Sequence, residues 1–347
     1  MNEKISVIIS NYNYELYLDE AIKSVLSQNY QTYELIIVDD GSTDDSCSII
    51  QKYLENYPDK IKGIFKTNGG QASAFNAAFE LTTGSIIAFL DADDYWYPDK
   101  LKVISEYHEK HPAIQHNLLI NNKLKFTYLE DKVCKQQRLL ESYGFMGTIP
   151  TSGLSFRKSA IADIFPLPEE EYRICADLYL KTMYLNNGDI FSIDQPLGCY
   201  RAHDENNWFN SKNTMGYIDI TLKNLNNLRV REGKKKIETK TAPNTFANTY
   251  IDSFDLTTED KYVLYGSGAL ASEMYELLRE KYYISAFTNS FVKNEELHLN
   301  LPLIPIKRVR ELFSYHKLII ANTYIMDTIN RLEELEFDFK SVIVPKL

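Results

Sequence analysis

An alternation of apolar runs with helix-like segments over the first 110 residues limits the fold of this chain more than any other feature. The predicted strands are Lys4–Ser10, Tyr33–Asp39, Ile61–Lys66 and Ser85–Leu90, and apolar residues at helical spacing follow each of them. Strands that are apolar on both faces are typical of a mainly parallel sheet flanked by helices. Because such sheets bind ligands beyond the carboxyl ends of their strands, we expect an α/β fold with a site at that edge.

Two acidic turns follow two of these strands. Asp91-Ala92-Asp93 ends the fourth strand, and Asp39-Asp40-Gly41-Ser42 ends the second. Two carboxylates in one tight turn suit a hard divalent cation, which can also bridge a diphosphate. One aspartate of the second pair is expected to cap the turn or helix that follows, and the other to face a ligand group such as the imide N–H of uracil. Acidic turns also occur without a ligand, so the interpretation depends on both pairs meeting at one sheet edge.

The composition excludes several classes of protein. The 347 residues include 38 basic and 48 acidic side chains, a net charge of −10, which argues against a general nucleic-acid binder. The four cysteines, Cys47, Cys134, Cys175 and Cys199, form no C-x-x-C pair, which favours a reducing cytoplasm over a disulfide scaffold or a zinc site. No run approaches the ~20 apolar residues that a membrane span needs. We therefore expect a soluble, cytoplasmic protein.

A second α/β pattern begins at Lys261–Tyr265. The first strand is followed by Gly266-Ser267-Gly268-Ala269-Leu270-Ala271, which fits the G-x-G-x-x-A turn that binds phosphates at a helix N-terminus. Gly266 and Gly268 are therefore candidate cofactor-binding residues for a nucleotide such as NAD. The acid expected about 20 residues further on is absent, since Asn289 lies there, so a tight turn without a ligand is the alternative. This part resembles the small Rossmann-like domains found beside sugar-modifying enzymes.

We divide the chain into two domains of unequal size. Residues 1–250 form the larger α/β domain, including a polar, helical region at 204–250, and residues 255–347 form the small Rossmann-like domain. The polar region carries a basic run of Arg229, Arg231, Lys234, Lys235 and Lys236. This run is either a solvated helix end or a peripheral contact with an anionic lipid at the inner face of the membrane.

Four ordered segments of the larger domain resemble glycosyltransferase family 2, which has the GT-A fold. They are VIISNYNYELYLDEAIKSVLSQNY, YELIIVDDGSTDDS, NGGQASAFNAAF and GSIIAFLDADDYWYPDKL. The resemblance is close over residues 1–110 and looser up to residue 208. It implies an inverting, metal-dependent enzyme that takes a sugar from a nucleotide sugar, with a UDP-sugar as the expected donor. A glycan or lipid-linked acceptor in polysaccharide or glycan assembly is the expected acceptor.

The resemblance also implies roles for individual residues. The expected nucleotide-binding residues are Ser10, Asn11, Asp39, Asp40, Asn68, Asp91, Ala92 and Arg201, and the expected ligands of Mn²⁺ or Mg²⁺ are Asp91, Asp93 and His203. The segment Thr151–Ser155 resembles the family's loop near the donor sugar and the acceptor. In the segment Tyr200-Arg201-Ala202-His203, either Arg201 or His203 is expected to stabilise the departing diphosphate.

The chain departs from the family pattern at two positions. Ala74-Phe75-Asn76 stands where the family often has Ala-Arg-Asn, so any phosphate or ribose contact of that arginine must come from elsewhere. The family's base commonly lies in a Glu-Asp-x-Asp-Leu pattern, and its position here is Cys175, a poor base for a sugar hydroxyl. Asp177 is our candidate catalytic base, with helix capping as its alternative role. Glu169, Glu170 and Glu171 are the alternative source of a carboxylate.

Two other functions stay open at this point. Cys175 is also consistent with a catalytically altered nucleotide-sugar-binding or scaffold protein. The second domain is alternatively an NAD-type enzyme, although no Ser/Tyr/Lys or His centre is visible in its sequence. The region from 115 to 170, where specificity is expected to reside, has no readable code for the sugar, the acceptor or the linkage.

Overall fold

The computed structural model describes residues 3–122, 124–125, 140, 149–203, 214–237, 251, 254, 256–289 and 292–321, and residues 328, 331–332, 335, 337 and 341–343 nearer the C-terminus. The chain separates into two compact units, which divide between residues 237 and 238. The predicted boundary between residues 250 and 255 falls almost entirely outside the described residues, so it stays a prediction.

A nine-stranded sheet forms the centre of the first unit. Its strands are β1 (Ile5–Asn11), β2 (Tyr33–Asp39), β3 (Ile61–Phe65), β4 (Ile86–Asp91), β5 (Tyr95–Trp96), β6 (Ala113–Ile120), β7 (Leu124–Lys125), β8 (Leu154–Arg157) and β9 (Phe191–Tyr200). They lie in the order β3-β2-β1-β4-β8-β6-β9-β5, with β7 paired to β6. Strands β1 to β4 are parallel and β9 is parallel to β6, whereas β5, β7 and β8 run antiparallel to their partners. The predicted mainly parallel sheet is confirmed, with antiparallel additions.

The helices of this unit flank the sheet. They are α1 (Glu15–Leu26), α2 (Ser46–Asn56), α3 (Gln71–Leu81), α4 (Lys100–His108), α5 (Lys158–Ile161), α6 (Ala176–Leu185) and α7 (Thr214–Arg231), with 3₁₀ turns at Thr151–Gly153 and Ala162–Ile164. In α1, Leu18, Ile22 and Val25 recur at helical spacing and are fully buried in one cluster with the strand side chains. Burial of this apolar stripe is what makes a helix of 12 residues stable.

The pairing of the central strands aligns their carboxyl ends. Ser10 of β1 pairs with Asp91 of β4, and Asn11 pairs with Asp39 of β2. Because these strands are parallel, the segments that follow them leave the sheet at the same edge. The register therefore brings the two acidic turns of the sequence to one edge of the sheet.

Two later elements differ in detail from the sequence-based expectation. The sequence predicts two short strands on either side of Pro196, at 189–193 and 197–201, but one strand, β9, spans Phe191–Tyr200 and pairs with β6 through two register shifts. The pairing with β6 outweighs the interruption at Pro196, because a register shift accommodates a residue that lacks an N–H. The sequence also predicts a hairpin around Asn121-Asn122. This turn joins the antiparallel β6 and β7, and both asparagines adopt the left-handed conformation that such turns require.

The second unit has a smaller sheet, as predicted. Its strands are β10 (Lys261–Tyr265), β11 (Tyr283–Asn289), β12 (Glu296–His298), β13 (Leu301–Pro305), β14 (Lys317–Ile320) and β15 (Val342–Ile343), in the order β12-β13-β11-β10-β14-β15. All neighbours are parallel except β12 and β13. Helices α8 (Ala269–Leu278) and α9 (Ile306–Leu312) connect strands of this sheet. The helix expected before Leu335 lies mostly outside the described residues.

Across the described ranges, no helix combines the length and the apolar character that crossing a membrane requires.

Candidate active site

The turn after β4 holds closely spaced acids. The main-chain N–H of Asp91 donates to Ser152 Oγ at 3.0 Å, and its carboxylate accepts a long hydrogen bond of 3.4 Å from Gln71 Nε2. Burial raises the pKa of Asp91 well above its ordinary value, and the nearby charges of Asp93 and Asp177 raise it further. These carboxylates therefore repel one another unless a proton or a cation lies between them.

Asp94, the next acid in this turn, holds the backbone in place. The side chain is fully buried, and its two oxygens accept hydrogen bonds from the Arg201 N–H at 2.9 Å and from Ser152 Oγ at 2.5 Å. The Ser152 carbonyl in turn accepts from Trp96 Nε1 at 2.8 Å and from the buried Lys100 Nζ at 3.3 Å. The acidic turn is thus fastened to the 3₁₀ turn at 151–153 and to the end of β9.

His203 and Asp93, which lie 110 positions apart in the chain, meet at the site. The His203 Nε2 atom is 3.1 Å from Asp93 Oδ2, and the ring stacks on Tyr17 with centroids 4.5 Å apart. The neighbouring Arg201 forms an ion pair with Glu20 at 3.0 Å and places its guanidinium 5.2 Å from the centre of the Tyr17 ring. The predicted Tyr200–His203 segment therefore reaches the acidic turn of β4.

Asp39 organises the loop after β2. Its carboxylate accepts hydrogen bonds from Asn11 Nδ2, from the Ser42 N–H, both at 2.9 Å, and from Cys47 Sγ at 3.3 Å. Ser42 Oγ accepts a further hydrogen bond from the Asn13 N–H at 2.9 Å. Asp39 therefore holds this loop in place, and a nucleotide-binding role for it stays a prediction.

Asp40 also has partners within the protein. Its Oδ1 atom accepts from Lys66 Nζ at 2.7 Å and from the Gly69 N–H at 2.9 Å, and its Oδ2 atom accepts from the Gly70 N–H at 2.6 Å. Asp40 is 3% exposed. A ligand-facing role for Asp40 stays a prediction.

The loop from Asn68 to Gln71 connects the acidic turn after β4 with the start of α6. The sequence does not predict this connection. Gln71 Oε1 accepts the Ala176 N–H of α6 at 2.9 Å, while its Nε2 atom donates to Asp91. Gly70 has a φ of 90°, and a Cβ atom there would lie 2.4 Å from the Arg173 Cα atom. Only glycine fits this left-handed, crowded position. The signal was present in the run NGGQ, but nothing in the sequence shows that it packs against residue 173.

Asp177 lies in the first turn of α6, close enough to Asp91 for their charges to interact. Its Oδ2 atom accepts a hydrogen bond of 2.7 Å from Lys181 Nζ, which is itself nearly buried and also donates to the Ile149 carbonyl at 3.0 Å. Helix spacing alone could have revealed this partner, since residues i and i+4 are neighbours on a helix. The residue at the N-cap position is Cys175, whose side chain makes no cap hydrogen bond.

The two departures from the family pattern have distinct structural settings. Phe75 is 1% exposed and packs on Phe89 with ring centroids 4.9 Å apart, so this position belongs to the core. Cys175 is buried with a φ of 61°, in the left-handed region, and burial and the charge of Asp177 raise the pKa of its thiol. The thiol is therefore neutral and unsuited to accept a proton. Of the alternative acids, Glu169 accepts a hydrogen bond from Asn76 at 2.9 Å, which lowers its pKa.

The donor atoms present fit a divalent cation. No three His, Cys, Asp or Glu side chains among the described residues form a ready-made metal site. Asp91 and Asp93 nevertheless supply carboxylate oxygens, with the His203 ring nitrogen beside them. Magnesium-type ions are commonly held by one or two carboxylates together with substrate phosphates. Burial is the main cause of the raised pKa of Asp91, and the charges of Asp93 and Asp177 add to it, so a cation bound there would offset part of this effect.

The predicted site residues of the first unit are therefore close neighbours. The register and the hydrogen bonds bring together Ser10, Asn11, Asp39, Asp40, Asn68, Asp91, Ala92, Asp93, Asp177, Arg201 and His203.

Gly266 and Gly268 belong to the second unit. There Gly266 has a φ of 144° and a Cβ atom would lie 2.5 Å from the Ala321 carbonyl oxygen, while space beside Gly268 is open. Asn289, at the position of the expected acid, donates to Ser267 Oγ at 2.7 Å and so closes the turn.

The basic run at the end of α7 is partly used inside the first unit. Arg229 donates to Asn186 Oδ1 at 3.1 Å, and Lys234 donates to the Asn186 carbonyl at 3.1 Å. The exposed members are Arg231, Lys235 and Lys236. The charge available to an anionic partner is therefore smaller than the sequence suggests.

Comparison with known proteins finds relatives among glycosyltransferases. A family model described as Glycosyl transferase family 2 matches residues 6–165. An uncharacterised glycosyltransferase of Nostoc sp. is 38% identical over 253 residues, which cover 66% of this chain and 77% of the relative. A putative teichuronic acid biosynthesis glycosyltransferase of Bacillus subtilis, TuaG, is 41% identical over 104 residues, 30% of this chain and 41% of that relative. Among solved structures, Staphylococcus aureus TarS in complex with UDP gives a TM-score of 0.46 at 20% identity, over 74% of this chain and 73% of that one.

Proposed function

The chain belongs to glycosyltransferase family 2, and on that basis we propose that it transfers a sugar from a nucleotide sugar to an acceptor hydroxyl with inversion at the anomeric carbon. The observation that carries the proposal is the register of β1, β2 and β4, which aligns Asn11 with Asp39 and Ser10 with Asp91. A UDP-sugar is the proposed donor. The proposed acceptor is a glycan or lipid-linked molecule in polysaccharide assembly, a class with which the name of TuaG is consistent.

Donor binding is assigned to the edge that runs from Ser10 and Asn11 to the acidic turn of β4. Asp40 is proposed to accept the imide N–H of uracil through its carboxylate. Asp91, Asp93 and His203 are proposed to hold Mn²⁺ or Mg²⁺. When bound, such an ion supplies positive charge to the diphosphate leaving group. Ser152 and Asp94 keep the turn in place, so little reorganisation accompanies the reaction.

Asp177 is the proposed general base. It accepts the proton of the acceptor hydroxyl, the hydroxyl oxygen forms a bond to the anomeric carbon, and the bond from that carbon to the diphosphate breaks with its electron pair on the leaving oxygen. Lys181 holds one carboxylate oxygen of Asp177 at 2.7 Å and so orients the other. A base needs to lie within hydrogen-bond reach of the proton that it removes.

A nucleotide-sugar-binding protein that does not transfer the sugar is the second candidate function, and one observation favours it. The thiol of Cys175, at the family's usual base position, is kept neutral by burial. An assay of UDP release from UDP-sugars with mixed glycan acceptors separates the two functions. Release that depends on the acceptor supports transfer, whereas donor binding without release supports the second candidate.

The exposed basic residues Arg231, Lys235 and Lys236 are proposed to contact an anionic, lipid-linked acceptor at the inner face of the membrane. Flotation with anionic liposomes tests this contact. An absence of binding at physiological salt would remove the membrane from the proposal and leave the transfer reaction intact.

Donor and metal are tested together by thermal shift. UDP-, GDP- and dTDP-sugars are added to the protein with and without Mn²⁺, and the largest rise in Tm is expected for a UDP-sugar with Mn²⁺. Stabilisation follows from ligand binding to the folded state alone. A protein that none of these donors stabilises, with or without Mn²⁺, would contradict the proposed function.

Replacement of Asp93 by alanine is expected to abolish donor turnover and the dependence of donor binding on Mn²⁺, because it removes one of the two proposed carboxylate ligands. Turnover is measured as nucleoside diphosphate release. Asp163→Ala, an exposed acid outside the site, is the matched control. Full activity of the Asp93 variant would overturn the assignment of the metal site.

A further inference from the structure

The cations at the donor edge are nearly all paired with acids. Lys66 contacts Asp40 at 2.7 Å, and Lys181 contacts Asp177 at 2.7 Å. Arg201 contacts Glu20 at 3.0 Å. These pairs leave little positive charge for an anionic ligand. A negatively charged donor that binds at such an acidic edge therefore needs positive charge from another side chain as well as from a metal ion.

Arg173 is placed differently from these cations. Its side chain is exposed and contacts the amide oxygen of Asn68, a neutral group, and within the described ranges no carboxylate lies within ion-pair distance of it. A guanidinium carries five N–H donors and keeps its charge at any physiological pH. The charge of Arg173 is thus available to a ligand, in contrast to the charges of Lys66, Lys181 and Arg201.

The backbone around Arg173 is fixed at the edge of the site. Its carbonyl oxygen accepts the Gln71 N–H at 2.8 Å, and its Cα atom lies where a side chain on Gly70 would be. Gln71 reaches Asp91 with its side-chain amide, and Gly70 donates its N–H to Asp40. Arg173 therefore lies beside the loop that contacts both acidic turns, and its position depends on close packing rather than on a mobile surface.

We propose that Arg173 binds a phosphate oxygen of the nucleoside diphosphate. Arg173 therefore adds to the affinity for the diphosphate and not to the affinity for the nucleoside. The inference rests on the proposed use of a nucleotide sugar. The planar guanidinium fork matches phosphate geometry and forms charge-assisted hydrogen bonds. A phosphate oxygen would replace the Asn68 side-chain oxygen as an acceptor for the Arg173 guanidinium.

Calorimetric titration with UDP and with uridine, both in the presence of Mn²⁺, tests this assignment. Arg173→Ala is expected to weaken UDP binding about tenfold, as expected for one lost hydrogen bond between charged groups, and to leave uridine binding unchanged. Arg173→Lys, which keeps the charge but not the fork, is expected to recover part of the affinity. Arg279→Ala, an exposed arginine in the second unit, is the control and is expected to bind like the wild type. Near-ultraviolet circular dichroism checks that each variant is folded.

Two results would overturn the assignment of Arg173. One is unchanged UDP affinity in a folded Arg173→Ala variant, and the other is an equal loss of affinity for UDP and uridine, which would place the contact on the nucleoside. A wild-type protein that binds none of UDP, GDP and dTDP would instead contradict the proposed function itself. The two failures are therefore distinguishable.

Discussion

The acids of the site fall into two groups, those whose hydrogen bonds hold the turns and those proposed to bind the metal ion. Asp39 and Asp94 use their oxygens to hold backbone N–H groups and hydroxyls. Asp91 and Asp93 lie in the turn that those contacts hold in place. The pKa of Asp91 is raised chiefly because its carboxyl is buried, and the nearby charges of Asp93 and Asp177 raise it further.

Asp177→Asn is expected to leave the affinity for the donor within about twofold of the wild type and to lower the rate of transfer at least ~100-fold, because the amide cannot accept the proton of the acceptor hydroxyl. Single-turnover kinetics at saturating donor measure the rate, and calorimetry measures donor binding. Asp163→Asn is the control. A variant that transfers at the wild-type rate would move the base to Glu169–Glu171.

Asp91→Asn is expected to stabilise the metal-free protein at neutral and alkaline pH. Because folding raises the pKa of Asp91, the folded state holds the proton more tightly than the unfolded state does, so stability falls as the pH rises through the folded pKa. The amide removes this cost, and the Tm of the first unit should rise by about 2 °C near pH 8. The difference in Tm should vanish below the ordinary pKa of 3.8, where Asp91 is protonated in both the folded and the unfolded wild-type protein.

Calorimetric scans in the presence of a chelator measure this shift. Asp59→Asn, an exposed acid, is the control and should change the Tm by less than the uncertainty of the scans. A fall in Tm at alkaline pH for Asp91→Asn would show that the carboxylate stabilises the fold and would contradict this account.

The sequence predicts those site residues that belong to a local motif. It does not predict residues that reach the site through contacts with distant parts of the chain. The acids of the two turns follow apolar strands, so their place at the sheet edge could be predicted. Ser152 and Gln71 contact Asp91 from 61 and 20 positions away. No local pattern specifies such contacts, because they arise when the 3₁₀ turn and α3 pack against β4.

Among the elements, β2 shows how the parallel strands are joined at the end opposite the site. Glu34 is 4% exposed, and it accepts hydrogen bonds from Ser6 of β1, from Thr83 before β4 and from Lys62 of β3. Its burial by itself raises the pKa of its carboxyl, but these hydrogen bonds outweigh burial and lower that pKa below its usual value. One side chain thus links three neighbouring strands of the sheet, β1, β2 and β3, with the segment that precedes β4.

Glu34→Gln is expected to lower the free energy of unfolding by about 2 kcal/mol at neutral pH, since a buried, charge-assisted acceptor is replaced by an amide. The folded pKa is depressed, so the wild-type advantage is complete above the unfolded value of 4.5 and is lost as the pH falls toward the folded pKa. Urea titrations at several pH values measure it, with the exposed Glu55→Gln as the control. A destabilisation that does not depend on pH would contradict the electrostatic explanation.

The elements most accurately predicted are those with an apolar pattern that is both buried and local. The predicted strands at 33–39 and 261–265 match β2 and β10 at both ends. The prediction was less accurate for β9, because its continuity comes from pairing with β6, a strand more than 70 positions earlier. Tertiary pairing of this kind overrides a local interruption such as Pro196, which explains why two short strands were expected there.

At the scale of the whole molecule, part of the net charge of −10 is concentrated in the two acidic turns at one sheet edge of the first unit. UDP and Mn²⁺ are expected to slow hydrogen exchange at the amides of residues 10–13, 39–42 and 91–94, because these segments surround the proposed donor. The amides of Gly266–Gly268 are expected to exchange as before, since Asn289 takes the place of the acid that a dinucleotide would need. Exchange measured by mass spectrometry after proteolysis resolves these segments.

Slower exchange at Gly266–Gly268 on addition of UDP would show that the second unit also binds a nucleotide, and would make both glycines ligand-binding residues. A parallel experiment with NAD examines the other ligand that the turn predicts. Uridine is the phosphate-free control for UDP, and adenosine is the phosphate-free control for NAD.

The left-handed backbone at Cys175 affects which amino acids this position accepts without strain. Aspartate, asparagine and glycine adopt this conformation more readily than cysteine does. A mutation of this codon toward aspartate would relax the main chain and would simultaneously introduce an acid one residue away from Ala176, where α6 begins. The main-chain conformation at residue 175 is therefore one that the acid of the family pattern would adopt more readily than the cysteine present.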